Sequence, residues 1–331
     1  MDLTYLICRA HGFETKLLTA EHIRELMAVN SLKELVERLS QTGYGPKLRD
    51  AKNIWDLERI FAEELMDKFH RLLGISPEGV LRDFLKTYFR RYEVQNLIWL
   101  IRMKWRKASE EEVKSILLPT ERIGDVKFEP LIKLESLEEL FELLENQGYQ
   151  GIAAFGEDIS LIECALRKIH YQRLMERLSR IILADRRDIR SLLIPEIDLS
   201  NLKLCIITLL HNYDEDTVRK LLIKNPGGIS LRELLASVKM GDIRKFIESF
   251  PNYRAFLETV LSGEEWRIDV EQLRVVRKAL YLKRVERYIS FLYVMKYIID
   301  VETEYRNLRS IALSIYHNLP VEAREELVIL P

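Results

Sequence analysis

Thirteen glycines and nine prolines in 331 residues leave the chain few places to turn. A sheet protein of this length needs more turn residues and more β-branched runs, so the scarcity, beside abundant Leu, Ile, Glu, Lys and Arg, predicts an all-α fold. Cysteine is scarcer still. Cys8, Cys164 and Cys205 are far apart and odd in number, which excludes a disulfide framework and fits a reducing cytoplasm. Net charge is almost missing: 51 Lys and Arg face 52 Asp and Glu, so no global field recruits nucleic acid or an acidic membrane, and charge acts only in patches. Long apolar runs are absent as well. The stretches 202–210 and 288–299 are interrupted by Lys203 and Lys296 and fall short of the roughly 18 apolar residues a membrane span needs. Residues 1–4 show no basic segment leading into an apolar one, so no secretory signal is expected.

Motifs that carry chemistry are also lacking. No phosphate-binding Gly-x-x-x-x-Gly-Lys-Ser/Thr loop occurs, and Asn225-Pro226-Gly227-Gly228, without the Lys and hydroxyl, reads as a turn. His11, His22, His70, His170, His211 and His317 are dispersed and form no ligand pair. The expectation is a protein with no catalytic residues, no cofactor, no metal and no small-molecule substrate.

What the chain does have is a period. An acidic residue, two spacers and Asn-Leu occur as Glu93–Asn96–Leu97, Asp198–Asn201–Leu202 and Glu304–Asn307–Leu308, with the asparagines 105 and 106 residues apart. A second marker keeps the register: Ser31-Leu32 leads to Gly43-Tyr44, Ser136-Leu137 leads to Gly148-Tyr149, and Asp242 leads to Tyr253. A third echo pairs Leu57-Glu58 with Ile162-Glu163. The reading is three helical repeats, 1–107, 108–212 and 213–331, with roughly six helices each at ~12 residues per helix and ~4 per connection. Joints are expected at 107–112 and 211–216, and Pro119, Pro195, Pro226 and Pro251 are expected to break helices inside the repeats. Core stripes are expected at Leu57, Ile60, Phe61 and Leu65, at Leu161, Cys164, Ala165 and Ile169, and at Leu273, Val276, Leu280 and Val285.

On a helix the acid and the Asn lie on one side, next to a Leu that faces the core. A buried Asn is tolerated only where its amide is satisfied, so its recurrence marks recurring packing geometry. The main expectation for Glu93, Asn96, Asp198, Asn201, Glu304 and Asn307 is therefore structural, the sharper alternative being that the pairs line a shared axial surface. Each unit offers one carboxylate without a nearby His, which disfavours a metal. Basic strips accompany the motifs, and Arg90, Arg91, Arg102, Arg187, Arg190 and Arg284 are candidate docking residues for acidic partner surfaces or lipid headgroups, against the plainer reading of solvated helix faces.

The stretch from Phe84 to Leu97, with Ser40 to Tyr44, Ile194 to Leu202, Glu304 to Leu308 and the terminal Leu319-Pro320, resembles one family of archaeal and vacuolar-type ATPase components, that of the archaeal C subunit and its eukaryotic counterpart, the d subunit. The resemblance spans essentially the whole chain. It implies three similar helical domains about a pseudo-threefold axis, a funnel with a central cavity that receives the central-stalk subunits and rests on the membrane rotor ring of ion-translocating subunits. It further implies one copy per complex on the cytoplasmic face of a membrane, coupling ATP turnover to proton or sodium transport without catalysis. Two rivals differ in class. A helical-repeat interaction scaffold unconnected with ATPases explains the repeats but not their period, which exceeds the ~20–50 residues of ordinary solenoids. A nucleic-acid binder would use Tyr88, Tyr92, Trp99 and Trp105, against which the neutral charge balance and the helical spacing of those rings weigh.

Overall fold

The computed structural model describes residues 3–49, 51–224, 227–282 and 289–330, the side chains of 265 and 266 excepted. Among the described residues there are nineteen α-helices, three 3-10 turns and no strand. Local chemistry explains where many of the helices begin. Thr19, Ser31, Asn53, Ser109, Ser136, Asp158, Asp214, Ser230 and Asp242 each stand at an N-cap and accept a backbone N–H of the first turn.

The chain divides into two compact units, Met1–Pro77 with Trp266–Pro331, and Glu78–Glu265. In the first, helix Leu292–Tyr316 packs on Ile54–Ile75 and Leu3–Glu14. In the second, helix Ile159–Ser179 packs on Val80–Phe89, Arg91–Trp105 and Leu183–His211. The expected stripes face inward: Leu57, Ile60, Phe61 and Leu65 are buried, as are Leu161, Cys164 and Ala165, and Leu273, Val276 and Leu280. Ile169 is half-buried, and Val285 lies outside the described residues.

The three Asn-bearing motifs stand on three long helices, Arg91–Trp105, Leu183–His211 and Leu292–Tyr316. Just past each helix comes a left-handed residue, Lys107, Asn212 and Asn318, each with φ of 55°, and no other non-glycine described residue has positive φ. These three positions keep the 105- and 106-residue spacing of the asparagines. Each is followed by a seven-residue helix, Glu110–Ile116, Glu215–Leu221 and Val321–Leu327. Sequence register thus coincides with a recurring unit of backbone geometry: long helix, left-handed stop, short helix, then an extended return.

Pro195 departs from expectation. The second motif helix runs through it for 29 residues. Proline removes one intrahelical hydrogen bond, at a cost near ~3 kcal/mol. Buried Leu192, Leu193, Ile197 and Leu199 anchor both sides of it, and their packing offsets that loss.

Candidate functional site

Each motif helix uses its asparagine in the same way. Asn96 donates to Leu118 O at 2.8 Å and accepts from Leu118 N at 2.9 Å. Asn201 donates to Ile223 O at 3.1 Å and accepts from Ile223 N at 2.9 Å. Asn307 does the same with Ile329, at 2.7 and 2.8 Å. The partner stands 22 residues on in every case. An amide side chain carries one acceptor and two donors, so it replaces a neighbouring backbone and completes the hydrogen bonding of a chain segment that has left the short helix. All three asparagines are at most 1% exposed.

The acid one turn earlier pins the continuation of that segment. Glu93 accepts from Asp125 N and Val126 N at 2.6 and 2.5 Å. Asp198 accepts from Gly228 N, Ile229 N and Tyr253 Oη at 3.0, 3.1 and 3.0 Å. Glu304 accepts from Leu18 N at 2.5 Å, from Tyr44 Oη at 2.7 Å and from Lys68 Nζ. Glycine is required where backbone comes this close. A Cβ on Gly124 would lie 2.5 Å from Glu93 Cδ, and one on Gly228 would lie 2.7 Å from Asp198 Oδ2. The second sequence marker therefore meets the first in space. Tyr253 bonds Asp198, Tyr44 bonds Glu304, and Tyr149 lies near enough to Glu93 for that charge, after burial, to raise its phenol pKa.

Burial pushes the Glu93 and Asp198 carboxyls above the usual range, against the opposing pull of their backbone donors and, for Glu93, of Arg90 and Arg173. Burial likewise raises Tyr44, reinforced by Glu304. With the six motif residues between 0% and 5% exposed, these networks hold chain segments together and offer no open acid–base pair. Beside Glu304 and Asn307 is a cavity of about 240 Å³, on whose wall Lys296 is paired with both Glu14 and Asp300. No group of metal-binding side chains occurs among the described residues.

The candidate basic residues divide. Arg90 pairs with Asp125 and approaches Glu93 at 3.7 Å. Arg91 pairs at 2.7 Å with buried Glu196, the residue 105 positions on, which also accepts from Tyr88 and Tyr171. Arg102 pairs at 2.7 Å with Glu163. Arg187 and Arg190 are exposed. Arg284 lies outside the described residues. Glu163, noticed in the sequence only as a helix-opening echo, is a junction: burial would raise its pKa, but Lys203, Arg167 and Arg102 outweigh burial and hold it well below the usual carboxylate range. Its register mate Glu58 accepts from Arg309 at 2.7 Å. Of the aromatics weighed for stacking bases, Tyr88 and Tyr92 are buried and Trp99 is half-buried, whereas Trp105 is 52% exposed.

Trp105 has counterparts. Leu210 and Tyr316, displaced from it by the same 105 and 106 residues, are 45% and 49% exposed. So the C-terminal end of every motif helix shows one large apolar side chain to solvent.

The fold and these networks define an all-helical packing protein built on a threefold internal repeat of acid and amide. Comparison with known proteins gives the family. The profile of the ATP synthase (C/AC39) subunit family matches residues 6–327, and the chain belongs to that family. It is similar to the C subunit of the A-type ATP synthase of Archaeoglobus fulgidus, at 26% identity over 344 residues covering 98% of this chain and 96% of that one. The A-type ATP synthase C subunits of Pyrococcus horikoshii and Methanococcoides burtonii are 23% identical, covering 98% and 99% of this chain and 90% and 94% of theirs. Among the described residues no helix is long and apolar enough to cross a membrane.

Proposed function

We propose that the chain is the non-catalytic coupling subunit of a rotary ATPase, seating the central stalk on the membrane ring of ion-translocating subunits from the cytoplasmic side and passing torque between them. The observation that carries this reading beyond family membership is a pairing rule that closes on itself. Glu93 and Asp198 are capped by segments about 30 residues after them, whereas Glu304 is capped by Leu18 and Tyr44, 286 and 260 residues before it. Three repeats, 1–107, 108–212 and 213–331, whose last motif is completed by the first segment, favour a cyclic arrangement about a pseudo-threefold axis. A closed ring of bundles resists twisting better than an open row, and its hollow suits a shaft.

In this reading Trp105 and Leu210, in the unit Glu78–Glu265, are equivalent anchors for a partner, and the complex holds one copy of the chain. The test is depletion and add-back on the assembled complex. ATP hydrolysis should persist without the chain while ion pumping stops, and pumping should return when the chain is restored. The double variant Trp105→Ser/Leu210→Ser should restore it poorly while keeping its helix content. Ion pumping that continues in the depleted complex overturns the assignment.

A further inference from the structure

The start of the second motif helix presents a surface that the packing of its unit does not call for. Ile182 and Leu183 are 67% and 70% exposed, side by side. Ile182 occupies the N-cap, a place that nine other helices fill with Ser, Thr, Asp or Asn, and it makes no side-chain cap bond. A polar side chain would stabilise that position, and the exposed aliphatic one that stands there gives the helix no such bond. Leu183, Arg187 and Arg190 follow i, i+4, i+7 spacing and share one helix face, and Arg180, Arg187 and Arg190 are all exposed. The acids of this stretch are turned away from water: Asp185 is 1% exposed and Asp188 is half-buried. What meets solvent is a pair of bare aliphatic side chains flanked by guanidinium groups.

We propose that residues 180–190 form a contact with an anionic lipid bilayer, with Ile182 and Leu183 entering the boundary between headgroups and acyl chains and Arg180, Arg187 and Arg190 pairing with lipid phosphates. Charge complementarity selects the occupant, since a guanidinium matches phosphate bidentately. Size excludes a conventional protein partner. Neighbouring Ile181 and Ile189 are 2% and 0% exposed, so the apolar patch is two residues wide, too small for the buried core of a stable protein interface. Two inserted aliphatic residues with three arginines are enough for reversible bilayer binding. Ile289, 106 positions after Leu183, is 50% exposed at the corresponding register. The inference is independent of the rotor reading, because it concerns the isolated chain and a lipid surface.

The test is flotation of the purified full chain with vesicles of phosphatidylcholine alone or mixed with phosphatidylglycerol, at low and high salt. The wild type should bind the anionic vesicles and weaken as salt rises. Arg180→Gln/Arg187→Gln/Arg190→Gln should lower partitioning by about fivefold per arginine, roughly a hundredfold together. Ile182→Ser/Leu183→Ser should lower it about tenfold or more, with unchanged circular dichroism because both side chains are exposed. Absence of wild-type binding, or binding by both variants equal to wild type, overturns the proposal. So does displacement by inorganic phosphate at matched ionic strength, which would make the arginines a site for a free anion. So too would variants that still bind vesicles but fail to bind the other subunits, which would make the patch a protein contact.

Discussion

Replacing Asn201 with Ala should cost far more than the removal of three heavy atoms suggests. The amide is 1% exposed and satisfies both the N–H and the C=O of Ile223, itself 4% exposed. Water cannot take over either group without opening the packing. Each buried backbone group left unpaired costs about 1–3 kcal/mol, which gives ~3–5 kcal/mol together. Asn201→Leu separates this from a packing effect: it restores volume but supplies neither donor nor acceptor, so it should recover little. Urea denaturation followed by circular dichroism gives the total loss, and hydrogen exchange at the Ile223 amide reports the site itself. The control is Ser200→Ala on the same helix, whose half-buried hydroxyl bonds Glu196 O and meets the Tyr171 hydroxyl; its removal leaves no backbone N–H unpaired and should cost ~1 kcal/mol. A deficit below ~1 kcal/mol for Asn201→Ala, or near-complete rescue by Leu, would refute the view that the asparagines act as surrogate backbone.

Gly124→Ala should destabilise by about 1–3 kcal/mol in thermal denaturation, because the new methyl displaces a Glu93 carboxylate held by two backbone donors. Tyr44→Phe and Tyr253→Phe should lose similar amounts, about 1.5–3 kcal/mol each in urea titrations, since each deletes one hydroxyl donor to a motif carboxylate. Glu163→Gln should cost about 3 kcal/mol at neutral pH and flatten the acid limb of stability against pH. The folded pKa of Glu163 lies below its unfolded value of about 4.3, so its stabilisation is full above the unfolded value and is lost progressively as pH falls from there through the lower folded value. Iodoacetamide should label Cys8 alone in the native chain, because Cys8 is exposed while Cys164 and Cys205 are buried and burial pushes the Cys164 thiol up to about 12.

The period was legible because it is carried by side chains. Acid, asparagine, leucine and tyrosine recur at constant offsets, and the left-handed stops at Lys107 and Asn212 fall where apolar spacing lapses. The partners of the motif were not legible. Asn96, Asn201 and Asn307 bind backbone groups of Leu118, Ile223 and Ile329, and since almost any residue supplies an N–H and a C=O, nothing in their identity marks them. One signal was available: a glycine stands 31 residues after Glu93 and another 30 after Asp198, where the carboxylate needs room. The basic strip around Arg90 was readable as charge but not as direction. A long arginine stem lets the guanidinium fold back onto a buried carboxylate, and Arg91 and Arg102 do so with Glu196 and Glu163. The helix through Pro195 was missed because a local breaker signal is outweighed by burial on both sides of it, which only tertiary structure reveals.

The repeats also show how one packing rule survives sequence drift. The acid is Glu twice and Asp once, and Asp198, shorter by one methylene, is compensated by two adjacent glycines that bring the backbone closer. In the third motif Glu304 takes its backbone N–H and tyrosine hydroxyl from segments that precede it, at Leu18 and Tyr44. It is also paired with Lys68, and the register mate of Lys68, Arg173, lies near enough to Glu93 for its charge to oppose the burial of that carboxyl. A charged donor strengthens the hold on a buried carboxylate beyond what neutral donors give. The contact of Glu304 with Leu18, Tyr44 and Lys68 therefore uses the same kinds of donor, backbone N–H, tyrosine hydroxyl and cation, as the motifs capped by segments that follow them. So the packing rule depends on the donor set and not on the order of the segments along the chain.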